Sequence, residues 1–278
     1  MKKWMIQLGL FTLVPFLFGG FSLPVLRQYF AKNKMENTEK RVYPVLTVGD
    51  HSTAVMTLHE MLAELGYLPV EFHAFSPAER FERTYDTPCA GTWTWRFSNT
   101  PNELREIWDE TTYTEITKGA VMTFQKEHHL QIDGFAGPQV FRMLEVAESA
   151  NIFSAKPYTH VIVKQSIPQT LTVWQEGKAV FKSLCSTGVE KAATHYGTHV
   201  IYLRNIKQGM EGITPWGEHY AVKDVPYVSF FYKGEAIHGL QRAAYGMPQS
   251  VGCVELPIES AKMVWKLTDY GTLVTVKQ

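Results

Sequence analysis

A histidine and a cysteine stand fifteen residues apart in the C-terminal third of this chain, as His238-Gly239 and Ser250-Val251-Gly252-Cys253-Val254-Glu255-Leu256-Pro257. A thiol attacks only as thiolate, and its ordinary pKa lies near 8.5. A neighbouring imidazole that takes the proton removes this obstacle, so the pair spells nucleophile and base. Arg242, Tyr245, Gly246 and Pro248 lie between them and predict a bent loop rather than a helix. Gly252 lets the backbone approach a substrate, which would place the amides of Gly252 and Cys253 where an oxyanion forms. Arg242 offers a planar fork suited to a substrate carboxylate, against the plainer reading of a solvated loop arginine. Ser250 either holds the loop or touches substrate. Glu255 is the unexpected residue. An anion facing the thiol raises its pKa, whereas one turned away or paired with a cation such as Arg242 does not. Tyr220 and Tyr227 read as core or cleft wall before oxyanion donors.

Composition narrows the chemistry. The chain has 278 residues, with 27 basic and 27 acidic side chains, so it lacks the basic excess of a nucleic-acid binder. Cys89, Cys185 and Cys253 fit neither a zinc pattern nor a disulfide framework. Cys89 and Cys185 read as buried thiols in preference to a bridge. No HExxH is present, His128 and His129 point to different sides of a helix, and Gly197 separates His195 from His199. No metal site and no cofactor is expected.

Elements must now position the site. Met1-Lys2-Lys3 precedes an uncharged stretch from Trp4 to Leu26, long enough to span a bilayer core, so residues 1–27 read as a membrane anchor, or alternatively a cleaved signal. Residues 28–44 are polar and read as a linker. Ser52 to Leu65 carries Val55, Leu58, Met61, Leu62 and Leu65 at helical spacing, with Ser52 as N-cap and Gly66 beyond the end. A second helix is expected from Thr117 to about His129 and a third from Gln139 to Val146. Between the first two lies an insertion, 70–110, bearing Phe72, Phe75, Phe81, Tyr85, Trp93, Trp95, Phe97 and Trp108. It reads as a satellite core with a hairpin around Gly91-Thr92-Trp93-Thr94-Trp95, ahead of a sugar-stacking surface. Beyond a linker at 148–157 the texture turns to strands: His160–Lys164, Thr170–Trp174, Ala179–Leu184, His199–Leu203, Val228–Tyr232 and Leu273–Val276, with one helix at Ile258–Leu267. The fold class is α+β: a small three-helix domain with an insertion, then a mostly antiparallel β sandwich or barrel.

Two resemblances sharpen this reading. Val48-Gly49-Asp50, Leu65-Gly66-Tyr67, Thr117, Ala120-Val121, Phe124-Gln125, Leu130, Asp133-Gly134, Gly137 and Leu144 resemble, in order, the three-helix peptidoglycan-binding domain, here 45–147. Residues 158–278 resemble the L,D-transpeptidase (YkuD-like) catalytic domain through Gln169-Thr170-Leu171-Thr172-Val173, Ser186-Thr187-Gly188, Thr194 to Thr198, Val225-Pro226-Tyr227, the His238–Cys253 motif and Gly271-Thr272-Leu273-Val274. Val251 stands where that family has a second histidine, and Glu255 where it has Arg or Asn. The resemblance implies Cys253 as nucleophile, His238 as base and the Gly239 carbonyl as the group that orients the imidazole. It implies acyl transfer onto a peptidoglycan stem peptide, forming 3→3 crosslinks, on the outer side of the membrane. Rival readings are an L,D-carboxypeptidase, and a wall-binding protein whose catalytic domain has decayed.

Overall fold

The computed structural model describes residues 43–76 and 84–278. The hydrophobic N-terminal stretch, on which the anchor or signal expectation rests, lies outside the described residues, as does Phe81. Among the described residues no helix is long and apolar enough to cross a membrane.

The N-terminal part is helical. In α1, Thr53–Glu64, the Ser52 hydroxyl accepts the Val55 amide at 3.4 Å, an N-cap contact, and Val55, Leu58 and Leu62 turn to the core. The insertion folds as a two-stranded antiparallel hairpin, β1 (Val70–Ala74) with β2 (Gly91–Trp95), followed by the short α2 (Asn102–Ile107). Its rings pack on one another: Phe72 to Trp93 at 4.9 Å, Trp93 to Trp108 at 5.4 Å, and Trp108 to His59 of α1 at 4.9 Å between centroids. Phe75 is the exposed ring of the described set. The insertion is therefore an extension of the helical core. Next come α3 (Glu115–Glu127), opened by a Thr114–Thr117 capping box two residues before its expected start, and α4 (Pro138–Ser149), with Pro138 at its first turn.

The rest is mostly strand: β3 (Thr159–Lys164), β4 (Thr170–Gln175), β5 (Lys178–Leu184), β6 (Gly197–Val200), β7 (Leu203–Ile213), β8 (His219–Tyr232), β9 (Glu235–Gly239), β10 (Val254–Leu256), α5 (Ile258–Leu267) and β11 (Leu273–Lys277). One sheet has the order β5-β4-β3-β11-β6 and the other β10-β9-β8-β7. Most neighbours are antiparallel, but β11 runs parallel to β3 and β10 parallel to β9, so both sheets are mixed. Val161, Val163, Leu171 and Val173 from the first sheet meet Phe231, Ile237, Val254 and Leu256 from the second, with Ala261 and Val264 of α5 completing that core.

The two parts are joined closely. Val200 and Leu273 belong to the helical core. A β-carbon built on Gly119 of α3 would lie 2.6 Å from the Gly271 carbonyl oxygen, so two backbones touch where a side chain would keep them apart. The expected linker at 148–157 is strapped down: the Ser154 amide donates to Leu65 O at 2.8 Å, and the Lys156 ammonium contacts Asp269.

Candidate active site

His238 lies on β9, and Cys253 immediately precedes β10. The parallel register sets Val254 against Ile237 and Glu255 against His238. Side chains two residues apart on a strand share a face, so this register brings the cysteine and histidine to one side. Both line a cavity of about 300 Å³, with Glu255, Arg242 and Tyr220.

The loop that carries Cys253 is stitched to the chain before it. Ser186 and Glu255 exchange amide–carbonyl bonds at 2.9 and 2.8 Å. The amides of Gln249 and Ser250 both donate to Thr187 O, at 2.9 and 3.0 Å, and the Val189 amide donates to Ser250 O at 3.0 Å. The Thr187 amide in turn donates to the buried Gln169 side chain at 2.8 Å, and the Gly188 amide to Thr194 Oγ1 at 2.9 Å. Gly188 has no room for a side chain, since a β-carbon there would meet Ala192 O at 2.0 Å. Gly252 sits at φ 109°, a conformation that glycine adopts without strain.

Within this frame the expected residues divide. The His238 ring is buried, and its Nδ1 lies 3.2 Å from the Gly239 carbonyl oxygen, which leaves Nε2 for chemistry. Burial holds the imidazole below its ordinary pKa, against the upward pull of the Gly239 carbonyl and Glu255. Cys253 is half-buried, with its sulfur 4.0 Å from Gly234 O. Burial pushes its thiol up to about 11, the carboxylates of Glu255 and Glu235 add to the rise, and a backbone hydrogen bond at Ala236 opposes it. Burial thus disfavours the charged form of both groups.

Ser250 holds the loop: its Oγ donates to Cys253 O at 2.5 Å and accepts the Gly252 amide at 3.2 Å. The Gly252 amide, expected to face an oxyanion, is thus engaged by a hydroxyl. The Arg242 fork, expected to receive a substrate carboxylate, is occupied by Glu255 through Nε at 2.7 Å and Nη2 at 2.8 Å. Tyr220 lines the cavity, whereas Tyr227 packs toward Trp265 of α5. Among the described residues no cluster of His, Cys, Asp and Glu is arranged to hold a metal ion. Cys89 and Cys185 are buried thiols, and burial pushes Cys185 up to about 12.

Sequence reasoning missed one wall. Met210, Thr214, Trp216 and Val222, from the β7–β8 hairpin, line the same cavity. The available signal was Thr214-Pro215-Trp216-Gly217, a turn between two extended runs, where the Thr214 amide donates to Glu218 O at 2.8 Å and Gly217 has φ 90°.

Comparison with known proteins adds to this geometry. Residues 158–276 match the L,D-transpeptidase catalytic domain, YkuD, and residues 108–144 match a peptidoglycan binding domain. The second match covers α3 and part of α4 but not α1, which the insertion separates from them. Among solved structures, an L,D-transpeptidase from Mycobacterium smegmatis is 20% identical, over 44% of this chain and 59% of its own, with TM-score 0.39. L,D-transpeptidase 3 from Mycobacterium tuberculosis, in complex with a faropenem-derived adduct, is 22% identical over 44% and 61%, with TM-score 0.39. The catalytic domain of the Enterococcus faecium L,D-transpeptidase is 20% identical over 44% and 98%, also at 0.39. The chain thus spans about three fifths of the first two. A comparison with curated proteins gives no match.

Proposed function

Because the chain carries an L,D-transpeptidase catalytic domain with a peptidoglycan-binding domain upstream, we propose that it is a cysteine-dependent L,D-transpeptidase forming 3→3 crosslinks outside the cell membrane. The catalytic unit is 158–278, and the wall-binding unit is 45–147. The observation that supports this reading most is the placement of Cys253 and His238 on one cavity, with the ring turned by the Gly239 carbonyl.

His238 takes the thiol proton as the substrate enters, since burial disfavours the charged form of both groups beforehand. The Cys253 sulfur attacks the carbonyl carbon between the third stem residue and the terminal D-Ala. The oxyanion is met by the Cys253 amide. The Gly252 amide serves only through the Ser250 hydroxyl, which fixes the turn. As the C–N bond breaks, His238 returns the proton to the departing amine of D-Ala, leaving a thioester. The side-chain amine of an acceptor stem then loses a proton to His238 and attacks that thioester, and the thiol is regenerated. The β7–β8 hairpin walls the cleft against which the donor stem lies. Arg242 contributes by holding Glu255, with only its outer edge left for a substrate carboxylate.

Muropeptides incubated with the full-length chain test the proposal by mass spectrometry. The expected product is a 3→3 dimer with release of D-Ala, absent with Cys253→Ala and retained with Cys89→Ala and Cys185→Ala. Release of D-Ala without a dimer would identify an L,D-carboxypeptidase instead. Full activity of Cys253→Ala would remove the mechanism altogether.

A further inference from the structure

Two carboxylates flank Cys253, and they are balanced by different partners. Glu255 is gripped by the Arg242 guanidinium at 2.7 and 2.8 Å, a cation at every working pH. Glu235, the first residue of β9, is gripped by His195. Its Oε2 accepts the His195 amide at 3.0 Å, and its Oε1 contacts the ring Nδ1. The Glu235 carboxylate lies against the turn that precedes the nucleophile: a β-carbon built on Gly252 would be 3.4 Å from Glu235 Cγ and 3.6 Å from Oε1. The carbonyl 4.0 Å from the Cys253 sulfur belongs to Gly234, its neighbour in the chain. The His195 ring rests on Tyr232 at 4.5 Å between centroids, beside His199 at 4.4 Å, with the Lys233 ammonium 5.2 Å from the same ring. His238, Tyr220 and the Glu255–Arg242 pair are the other titratable groups around the thiol.

We propose that Glu235, held by His195, is a positioning residue for the nucleophile: it buttresses the Gly252 turn and sets beside Cys253 a carboxylate whose charge His195 balances. The proposal rests on the reading of Cys253 as nucleophile. Neither residue lines the cavity that holds Cys253 and His238; both act through the turn and the thiol. An ionised carboxylate beside a thiol opposes its ionisation, and an imidazolium on that carboxylate cancels the opposition. A neutral imidazole only donates a hydrogen bond. The thiol is thereby favoured as thiolate wherever the His195 ring carries a proton, while Arg242 keeps the contribution of Glu255 constant.

The test is the rate of iodoacetamide modification of Cys253, read by peptide mass spectrometry on the full-length chain from pH 5 to 9. Below its pKa an isolated thiol gives a logarithmic rate of unit slope against pH. Glu235→Gln keeps an acceptor for the His195 amide and removes the charge, and is expected to raise the rate about three- to tenfold at every pH. His195→Ala should coincide with the wild type at pH 9. It should fall below it by about threefold at pH 5.5, where the balancing charge is lost. The double variant should follow Glu235→Gln without the acid-side excess. His238 and His199 are imidazoles too, so a change of slope is assigned to His195 only by its loss in His195→Ala. An unchanged rate in Glu235→Gln overturns the proposal. So does a uniform change with pH in His195→Ala, or the same direction in both single variants, which mere loosening of the turn would produce. Alkylation reads thiol acidity whether or not the chain crosslinks peptidoglycan, so failure here is distinct from failure of the Cys253→Ala activity test.

Discussion

At the scale of residues, the site is governed by what surrounds two groups whose charged forms burial disfavours. A base must be unprotonated to act, and burial holds the His238 imidazole below its ordinary 6.5. A depressed pKa keeps the ring neutral into mildly acidic medium. Activity should therefore persist below pH 6.5, and the acid limb of kcat/KM against pH should have its midpoint under that value. A midpoint at or above 6.5 would show a ring that water reaches. The Arg242–Glu255 pair makes a second prediction, with opposite signs for its two halves. The Glu255 carboxylate is almost fully buried, and Arg242 is about a third exposed. Glu255→Gln removes an anion that raises both the thiol and the imidazole, so the alkylation profile of Cys253 and the acid limb should both move to lower pH. Arg242→Ala leaves the carboxylate buried and unbalanced. It should move the thiol to higher pH and cost about 2 to 4 kcal/mol in urea unfolding, less than a fully buried pair because Arg242 reaches solvent.

At the scale of elements, Cys253, the proposed nucleophile, is held by three residues that lie outside its cavity. Ser186, Thr187 and Gly188 pair with the Cys253 loop on both sides of the cysteine, and Gly188 is pressed against the backbone of Ala192 and Thr194. Gly188→Ala should destabilise the protein by about 3 kcal/mol and lower kcat more than it raises KM, since the loop itself is displaced. A stable variant with normal kcat would show that the loop needs no such clamp. The contrast between this clamp and the catalytic motif explains what a sequence displays. Cys253, His238 and Gly239 stand out as candidates in the sequence because their types and spacing suit that chemistry, and the structure sets the first two on one cavity. The helix Ile258–Leu267 was legible to the residue, and α1 nearly so, because apolar periodicity and caps are local. The β7–β8 hairpin was not. Its strands are largely exposed, so Leu203–Ile213 and much of His219–Tyr232 lack the alternation that marks a half-buried strand. Glu235 and His195 lie forty residues apart, and no local rule joins them. Nor does composition reveal that β9 and β10 run parallel, the fact that places the two reactive groups on one face.

At the scale of the molecule, the helical and strand parts share a core and a backbone contact. Gly119 sits within α3, where alanine normally favours the helix by about 1 kcal/mol. Here a β-carbon would strike the Gly271 carbonyl, and the reciprocal β-carbon on Gly271 would meet Gly119 O at 2.3 Å. Gly119→Ala should therefore lower the thermal midpoint, reversing the usual sign by roughly 2 kcal/mol of strain. A raised midpoint would show slack in the junction. The same contact has a mechanical meaning. Two modules on a slack tether sample a volume, and each can engage the polymer wherever the other happens to be. Two modules whose backbones touch, strapped again at Ser154 and Lys156, behave as a gauge. A wall strand held by the helices, as proposed above, would then lie at a set offset and angle from the peptide presented to Cys253. Under the proposed function, such a protein would measure the spacing of its polymer before joining it, and stems out of step with that spacing would be passed over.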